Sequence, residues 1–363
     1  MAVARVLHFA TFTLAMTTAA PALAAIDRVF WSDFEAPIDA ATDQWTWVDF
    51  PDTQCGDGSA TGLGINPSTL SNRVLIYLAG GGACWDAATC YVFDTASNFN
   101  SGYGASDFAA DVVDTGTLAQ PGGFFDRSEA TNPFKDYSYV VVPYCTGDIF
   151  AGDNVVNLGS GHIAHFVGYR NMDAYLRRLA ATFVAPGRVV IAGSSAGGLG
   201  AAYNWWQAQN AFPSTNVYMI DDSGTPMPED VLPQPNATEL TQRANWNIAA
   251  TLPPGCTACE TAFDVFFGFY ASALPDDRGA LLSFNPDTVL PLFYGISGSA
   301  FSTGLAEVEA QQFDPSSHLR YWQTNSAGHV LWTHPTSTVG GTTVRDFITK
   351  MVSDDANWVS IKP

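Results

Sequence analysis

The chain has 363 residues, of which 47% are apolar, 13% aromatic and only 14% charged, and its 35 acidic side chains outnumber 15 basic ones for a formal net charge of −20. A surface of that sign repels phosphate backbones and anionic lipid, which argues against nucleic acid or acidic membranes as partners and slows encounter with a polyanion such as unmethylated pectin. The apolar fraction, with no repeats, heptads or low-complexity tracts, requires one large buried core.

Residues 1–24 carry one basic residue, Arg5, then an apolar stretch from Val6 to Ala20 and the small-residue ending Ala22-Leu23-Ala24. This is the pattern of a secretory signal peptide cut before Ala25. Its apolar part is too short and too rich in Ala and Thr for a membrane span, and no later stretch is long and apolar enough to be one. Secretion, extracellular or periplasmic, is therefore expected. Residues 25–363 read as a single domain, because no Pro/Ser-rich linker divides them. The six cysteines, Cys55, Cys84, Cys90, Cys145, Cys256 and Cys259, suit disulfides in such a compartment. Cys84 with Cys90 and Cys256 with Cys259 are the local pairs and leave Cys55 with Cys145, although six cysteines allow fifteen connectivities. Cys256-Thr-Ala-Cys259 has no second such pair and no nearby histidine, so it reads as a short structural loop rather than half a zinc site or a redox pair.

Residues 26–60 are aromatic-rich, and 52–62 read as turn material; Asp52 and Asp57 lack the spacing and the closing glutamate of a calcium loop. Val74–Ala79 predicts a buried strand that runs into Gly80-Gly81-Gly82-Ala83-Cys84-Trp85. A glycine-rich loop after an early strand can face a nucleophile with backbone amides, so Gly81 and Gly82 are candidate oxyanion donors. A phosphate loop is disfavoured, since the stretch has no lysine and no G-K-[ST]. Tyr137–Cys145 predicts the next strand and residues 171–182 an amphipathic helix. His162 and His165 lie between them, and without a third ligand they read as loop histidines rather than metal ligands.

Arg188–Ser194 is a β-branched run that breaks on glycines and resumes as a small-residue helix. Gly193-Ser194-Ser195-Ala196-Gly197 fits G-x-S-x-G, the turn that lifts a serine clear of a sheet, and makes Ser195 the candidate nucleophile. Ala196 opens the helix, where amides lack partners, and is the third candidate oxyanion donor. Asn216–Ile220 predicts a strand ending in Asp221-Asp222-Ser223-Gly224. Residues 225–278, rich in proline and aromatics, read as a cap-like insertion. Its Phe263–Tyr270 cluster is expected in the core first and in an acyl pocket second. Leu281–Phe284 and His318–Asn325 predict the last strands. The order serine, acid after a late strand, histidine after the last strand selects Asp287 and His329, with Asp222 and His334 in reserve. Asp222 also has a purely structural explanation, since aspartate in a D-S-G turn bonds its own turn amides. The expected fold is α/β-hydrolase-like: a mostly parallel central sheet flanked by helices, with an irregular, aromatic-rich cap insertion.

L-x-G-G-G at 78–82 with Cys84, V-P-Y-C-T-G-D at 142–148, G-Y-x-N at 168–171, G-S-S-A-G-G at 193–198 and D-S-G at 222–224, in that order, resemble the pectin acetylesterase family with its Notum-like members. The resemblance spans most of residues 25–363. It implies Ser195 as nucleophile, Asp287 as acid, His329 as base and oxyanion donors at Gly81, Gly82 and Ala196, and it puts D-S-G outside the triad. Gly82-Ala83 stands where relatives place a tryptophan in or beside the loop, and the cysteines are few, departures that bear on substrate more than on chemistry. The expected function is a secreted serine esterase that removes acetyl or other short acyl groups from a polysaccharide, as a monomer and without metal or cofactor. Two alternatives remain open: a lipase-like or Notum-like deacylase of longer acyl esters, which the aromatic 246–270 region favours, and a non-catalytic glycan-binding protein on the same fold, which ten tryptophans and thirteen tyrosines would suit.

Overall fold

Runs of β-branched and aromatic residues form the strands β1 (Thr46–Gln54), β2 (Ala60–Asn66), β3 (Arg73–Leu78) and β4 (Ser138–Val142), a separate hairpin of β5 (Asn154–Asn157) and β6 (Ile163–Phe166), and then β7 (Arg188–Ser194), β8 (Val217–Asp222), β9 (Gly279–Phe284) and β10 (Leu319–Thr324). The computed structural model describes residues 36–114 and 120–363, so the expected signal peptide lies outside the described residues. The helices are α1 (Ala105–Phe108), α2 (Gly168–Thr182), α3 (Ala196–Tyr203), α4 (Trp205–Ala211), α5 (Ala237–Asn245), α6 (Phe266–Ala273), α7 (Leu290–Tyr294), α8 (Gly298–Val308) and α9 (Val344–Val352).

The main sheet has the order β1-β2-β4-β3-β7-β8-β9-β10. From β4 to β10 all neighbours pair in parallel, while β1 and β2 add an antiparallel hairpin at one edge. Parallel neighbours need crossovers, and the helices between strands supply them and cover both faces. Side chains alternate along each strand, so the strands feed two cores. Val74, Ile76, Leu78, Val189 and Ile191 face a layer with Met172 and Leu176 of α2, Trp205 of α4 and Phe267 of α6. Leu75, Tyr77, Val190 and Ala192 face the other, with Phe347, Ile348 and Met351 of α9 and with Trp332. At the far edge, Ile361 lies along β10: its amide donates to the Tyr321 carbonyl at 2.8 Å and its carbonyl accepts from the Gln323 amide at 2.9 Å.

The fold agrees with the expected class, with local corrections. Residues 46–54 and 60–66 are strands where the sequence suggested only aromatic-rich and turn segments. Asp52 therefore lies in β1, an edge strand with a register break between Phe50 and Gln54, and the glycines at 62 and 64 had weakened the pattern of β2. Asp57 does cap the turn between them, accepting from the Ser59 amide at 2.9 Å and hydroxyl at 2.6 Å. The helix after the elbow is two helices, split at Asn204, whose side chain donates to the carbonyls of Phe150 and Gly200. Residues 225–278 are less irregular than expected. They carry α5, capped by Asn236 accepting from the Glu239 amide and tied by an Arg243–Glu239 pair, and α6. Among the described residues no helix is long and apolar enough to cross a membrane.

Three disulfides join Cys55 to Cys145, Cys84 to Cys90 and Cys256 to Cys259. The first ties the end of β1 to the loop after β4 across 90 residues of sequence, and the chain-entropy account makes a cross-link of that span stabilise by about 4.6 kcal/mol. Replacing Cys55 and Cys145 together by serine should therefore lower the denaturation midpoint in guanidinium far more than replacing Cys256 and Cys259, whose separation is 3.

Candidate active site

The site is built where β7 turns into α3. Ser195 has φ +57° and ψ −122°, a conformation that a side-chain-bearing residue adopts only when its surroundings impose it. The neighbours impose it by close approach. A Cβ on Gly193 would sit 2.0 Å from the Gly197 carbonyl oxygen, and one on Gly197 would sit 2.1 Å from the Leu78 carbonyl oxygen of β3. The Ser195 amide donates to the Asp222 carbonyl at 2.7 Å, and its carbonyl accepts from Gly198 at 2.9 Å. Of the two adjacent serines, Ser194 is buried, accepting from the Tyr77 hydroxyl at 2.9 Å and donating to Asp222 Oδ2 at 2.7 Å. Ser195 instead lines a pocket.

The glycine loop after β3 runs beside it, since a Cβ on Gly80 would come within 3.1 Å of the Ser195 Cβ. Gly82 has φ +77° and lines the same pocket as Ser195 and Ala196. The loop is pinned by the Ser97 amide on the Gly81 carbonyl at 2.7 Å and by the Cys84 amide on the Gly147 carbonyl at 2.9 Å. Among the described residues the amides of Gly81, Gly82 and Ala196 donate no hydrogen bond, so they are free to meet an oxyanion.

The strands β7, β8, β9 and β10 are successive neighbours, and Ser195, Asp287 and His329 follow the first, third and fourth of them. Asp287 Oδ2 accepts from His329 Nδ1 at 2.8 Å, while its Oδ1 accepts the amides of Val289 at 2.7 Å and Leu290 at 2.8 Å. A carboxylate so placed holds the proton on Nδ1 and leaves Nε2 as an acceptor. Nε2 is buried and has no partner among the described residues. The reserves stand elsewhere: His334 is exposed in a turn, and Asp222 bonds the backbone of Leu331 and Trp332 rather than the imidazole. Burial pushes the carboxyl of Asp221 well up and that of Asp222 up, with four donors pulling Asp222 back. His162 stacks on Tyr91 and His165 bonds Gln54.

The pocket beside Ser195 is walled by Ile149, Leu199, Met227, Leu232, Trp246, Phe263, Leu290 and Phe293, with Asn236, Thr238, Glu239 and Gln242 of the α5 segment on its polar side. The Phe263–Tyr270 cluster divides as a result. Phe263 faces the pocket, while Phe266, Phe267 and Tyr270 are buried in the core.

The sequence profile described as pectinacetylesterase matches residues 43–273, more than half of the chain. The chain belongs to the pectinacetylesterase family. That family is one of carboxylic ester hydrolases. Over 156 residues the chain is 31% identical to palmitoleoyl-protein carboxylesterase NOTUM of Schmidtea mediterranea, a match covering 42% of this chain and 27% of that protein. Over 175 residues it is 28% identical to pectin acetylesterase 11 of Arabidopsis thaliana, covering 47% of this chain and 42% of the relative. The matches thus span well under two-thirds of these relatives. The Wnt deacylase Notum from Drosophila superposes with a TM-score of 0.65 at 16% identity, covering 87% of this chain and 95% of that one, and shares the fold.

Within this pectinacetylesterase fold, the sequence reading missed two parts of the site. Leu290, Phe293 and Tyr294, on α7 just past Asp287, form a pocket wall; their signal was an unassigned apolar stretch. The hydrogen bonds radiating from Asp222 and Ser223 had a signal too, the D-S-G motif, but nothing in the sequence says what those side chains bond. Because the elbow leaves no room for a methyl group, Gly193→Ala should destabilise the fold by about 3 kcal/mol or more, as other overpacked sites do, read as a lowered thermal midpoint.

Proposed function

We propose that the chain is a secreted serine carboxylic-ester hydrolase in which Ser195 is the nucleophile, His329 the general base and Asp287 the group that orients it. The observation that carries this reading is the Asp287–His329 bond at 2.8 Å, with Nε2 left unbonded, on strand ends that also bear the strained Ser195. His329 Nε2 takes the hydroxyl proton as Ser195 attacks the ester carbonyl, and the oxyanion is received by the amides of Gly81, Gly82 and Ala196. The protonated imidazole then returns its proton to the leaving alcohol. Water, activated by the same imidazole, hydrolyses the acyl-enzyme.

The leading substrate class is acetyl or other short acyl esters of a polysaccharide, in line with the family's name. A second reading, a deacylase of longer acyl esters, is favoured by the apolar wall from Ile149 to Phe293, which suits a hydrocarbon chain better than a sugar. In both readings residues 225–278 act as a cap that walls the pocket within a single domain, and the disulfides suit an oxidising compartment.

Ser195→Ala should abolish ester hydrolysis, and Asp287→Asn should lower kcat by about four orders of magnitude through loss of the correct tautomer. Release of acetate and nitrophenol from acetylated pectin, acetylated xylan and nitrophenyl esters from acetate to palmitate checks both and ranks the substrates. Turnover absent on every ester by folded protein would overturn the hydrolase and leave glycan binding on the same fold. Met227→Trp, which fills the pocket, should cut turnover of nitrophenyl octanoate about tenfold or more relative to the acetate if acyl chains occupy it, and should leave the ratio unchanged if they do not.

A further inference from the structure

The loop bearing His329 is held in a conformation it would not adopt alone. Val330, immediately after the histidine, has φ +69°, and a β-branched side chain is strained there. Three successive amides of this loop end on two side chains of the β8 end. Val330 N donates to Ser223 Oγ at 3.1 Å, Leu331 N to Asp222 Oδ1 at 2.8 Å and Trp332 N to Asp222 Oδ2 at 2.8 Å. The same carboxylate accepts the Ser194 hydroxyl at 2.7 Å and the Ser223 hydroxyl at 3.1 Å, while the Asp222 carbonyl accepts the Ser195 amide at 2.7 Å. One fully buried residue therefore holds the turn that carries Ser195 and the loop that carries His329.

The geometry points to Asp222, seconded by Ser223, as the positioning residue that sets the imidazole against the nucleophile; this rests on Ser195 and His329 being the reacting pair. Asp222 touches neither the imidazole ring nor the space where an ester would react. Its effect runs through backbone. All four groups facing its two oxygens are donors, so each oxygen must accept. An asparagine keeps one acceptor oxygen and turns an NH2 toward two donors, which leaves the strained Val330 free to relax and carry His329 with it.

The test compares the full-length wild type, Asp222→Asn, Asp222→Asn with Val330→Gly, and His329→Ala on nitrophenyl acetate, with the folded fraction of each measured by near-UV circular dichroism. Per folded molecule, Asp222→Asn should lose about 30-fold or more in kcat with KM changed less than about threefold, the split that marks an interaction made for the transition state. Glycine adopts a positive φ without strain, so the Val330→Gly double variant should recover about tenfold in kcat over Asp222→Asn without recovering its thermal midpoint. A merely structural role would show in the folded fraction and not in this rescue. Unchanged kcat in Asp222→Asn, or no rescue in the double variant, overturns the proposal. If Asp222→Asn does not fold, Ser223→Ala carries the comparison: a loss of about fivefold in kcat that Val330→Gly restores supports it, and full activity overturns it. Activity surviving in His329→Ala would overturn the triad itself, whereas an inactive His329→Ala beside a fully active Asp222→Asn removes only the positioning role.

Discussion

Everything at this site depends on two backbones meeting with nothing between them. Gly193 and Gly197 let the elbow fold back on itself and press against the end of β3, where any side chain would occupy the space of a carbonyl oxygen. The contact has two effects at once. It forces Ser195 into its positive φ, and it brings the loop that starts at Gly80 alongside the serine. Ser195 and the amides proposed to receive the oxyanion are thus located by one steric constraint, so their relative position does not drift with the flanking helices.

The second organising element is a division of labour between two buried carboxylates at neighbouring strand ends. Asp287 gives one oxygen to the imidazole and the other to two amides of its own loop. Asp222 gives its oxygens to the Ser194 and Ser223 hydroxyls and to two amides of the loop that carries His329, and none to a ring. Each is nearly inaccessible to solvent, so the cost of burying a charge is met by a full set of hydrogen bonds, and chemical similarity yields different roles through the donors each one faces.

The strand-turn-helix signal at 188–202 was legible because local physics dictates it, β-branched residues running up to a glycine break, and so were the positions of Asp287 and His329 as single residues just past late strands. The parallel sheet followed from apolar runs too continuous to be half exposed. The hairpin β1–β2 was not legible, because an edge strand with a register break and a partner containing two glycines carry a diluted pattern. The break at Asn204 was hidden for another reason. Its cause is a contact with Phe150, some fifty residues away, which no local window contains. Asp222 shows the same limit inside the site, since its motif reads as a self-contained turn, yet two of its partners, Leu331 and Trp332, lie more than a hundred residues downstream.

The bridge that Ile361 makes to β10 serves the sheet rather than the site. A parallel sheet ends in a strand whose outer N–H and C=O groups seek a mate, and an open edge of this kind recruits another copy of the chain. Here Ile361 takes the bonds of Tyr321 and Gln323, while Lys362 reaches Glu309 and sets a cation beside the edge. The β10 margin, opposite the β1–β2 hairpin, is therefore paired at Ile361 rather than left fully open. Loss of that short seal would open the β10 edge to strand addition while leaving the Asp287–His329 pair intact.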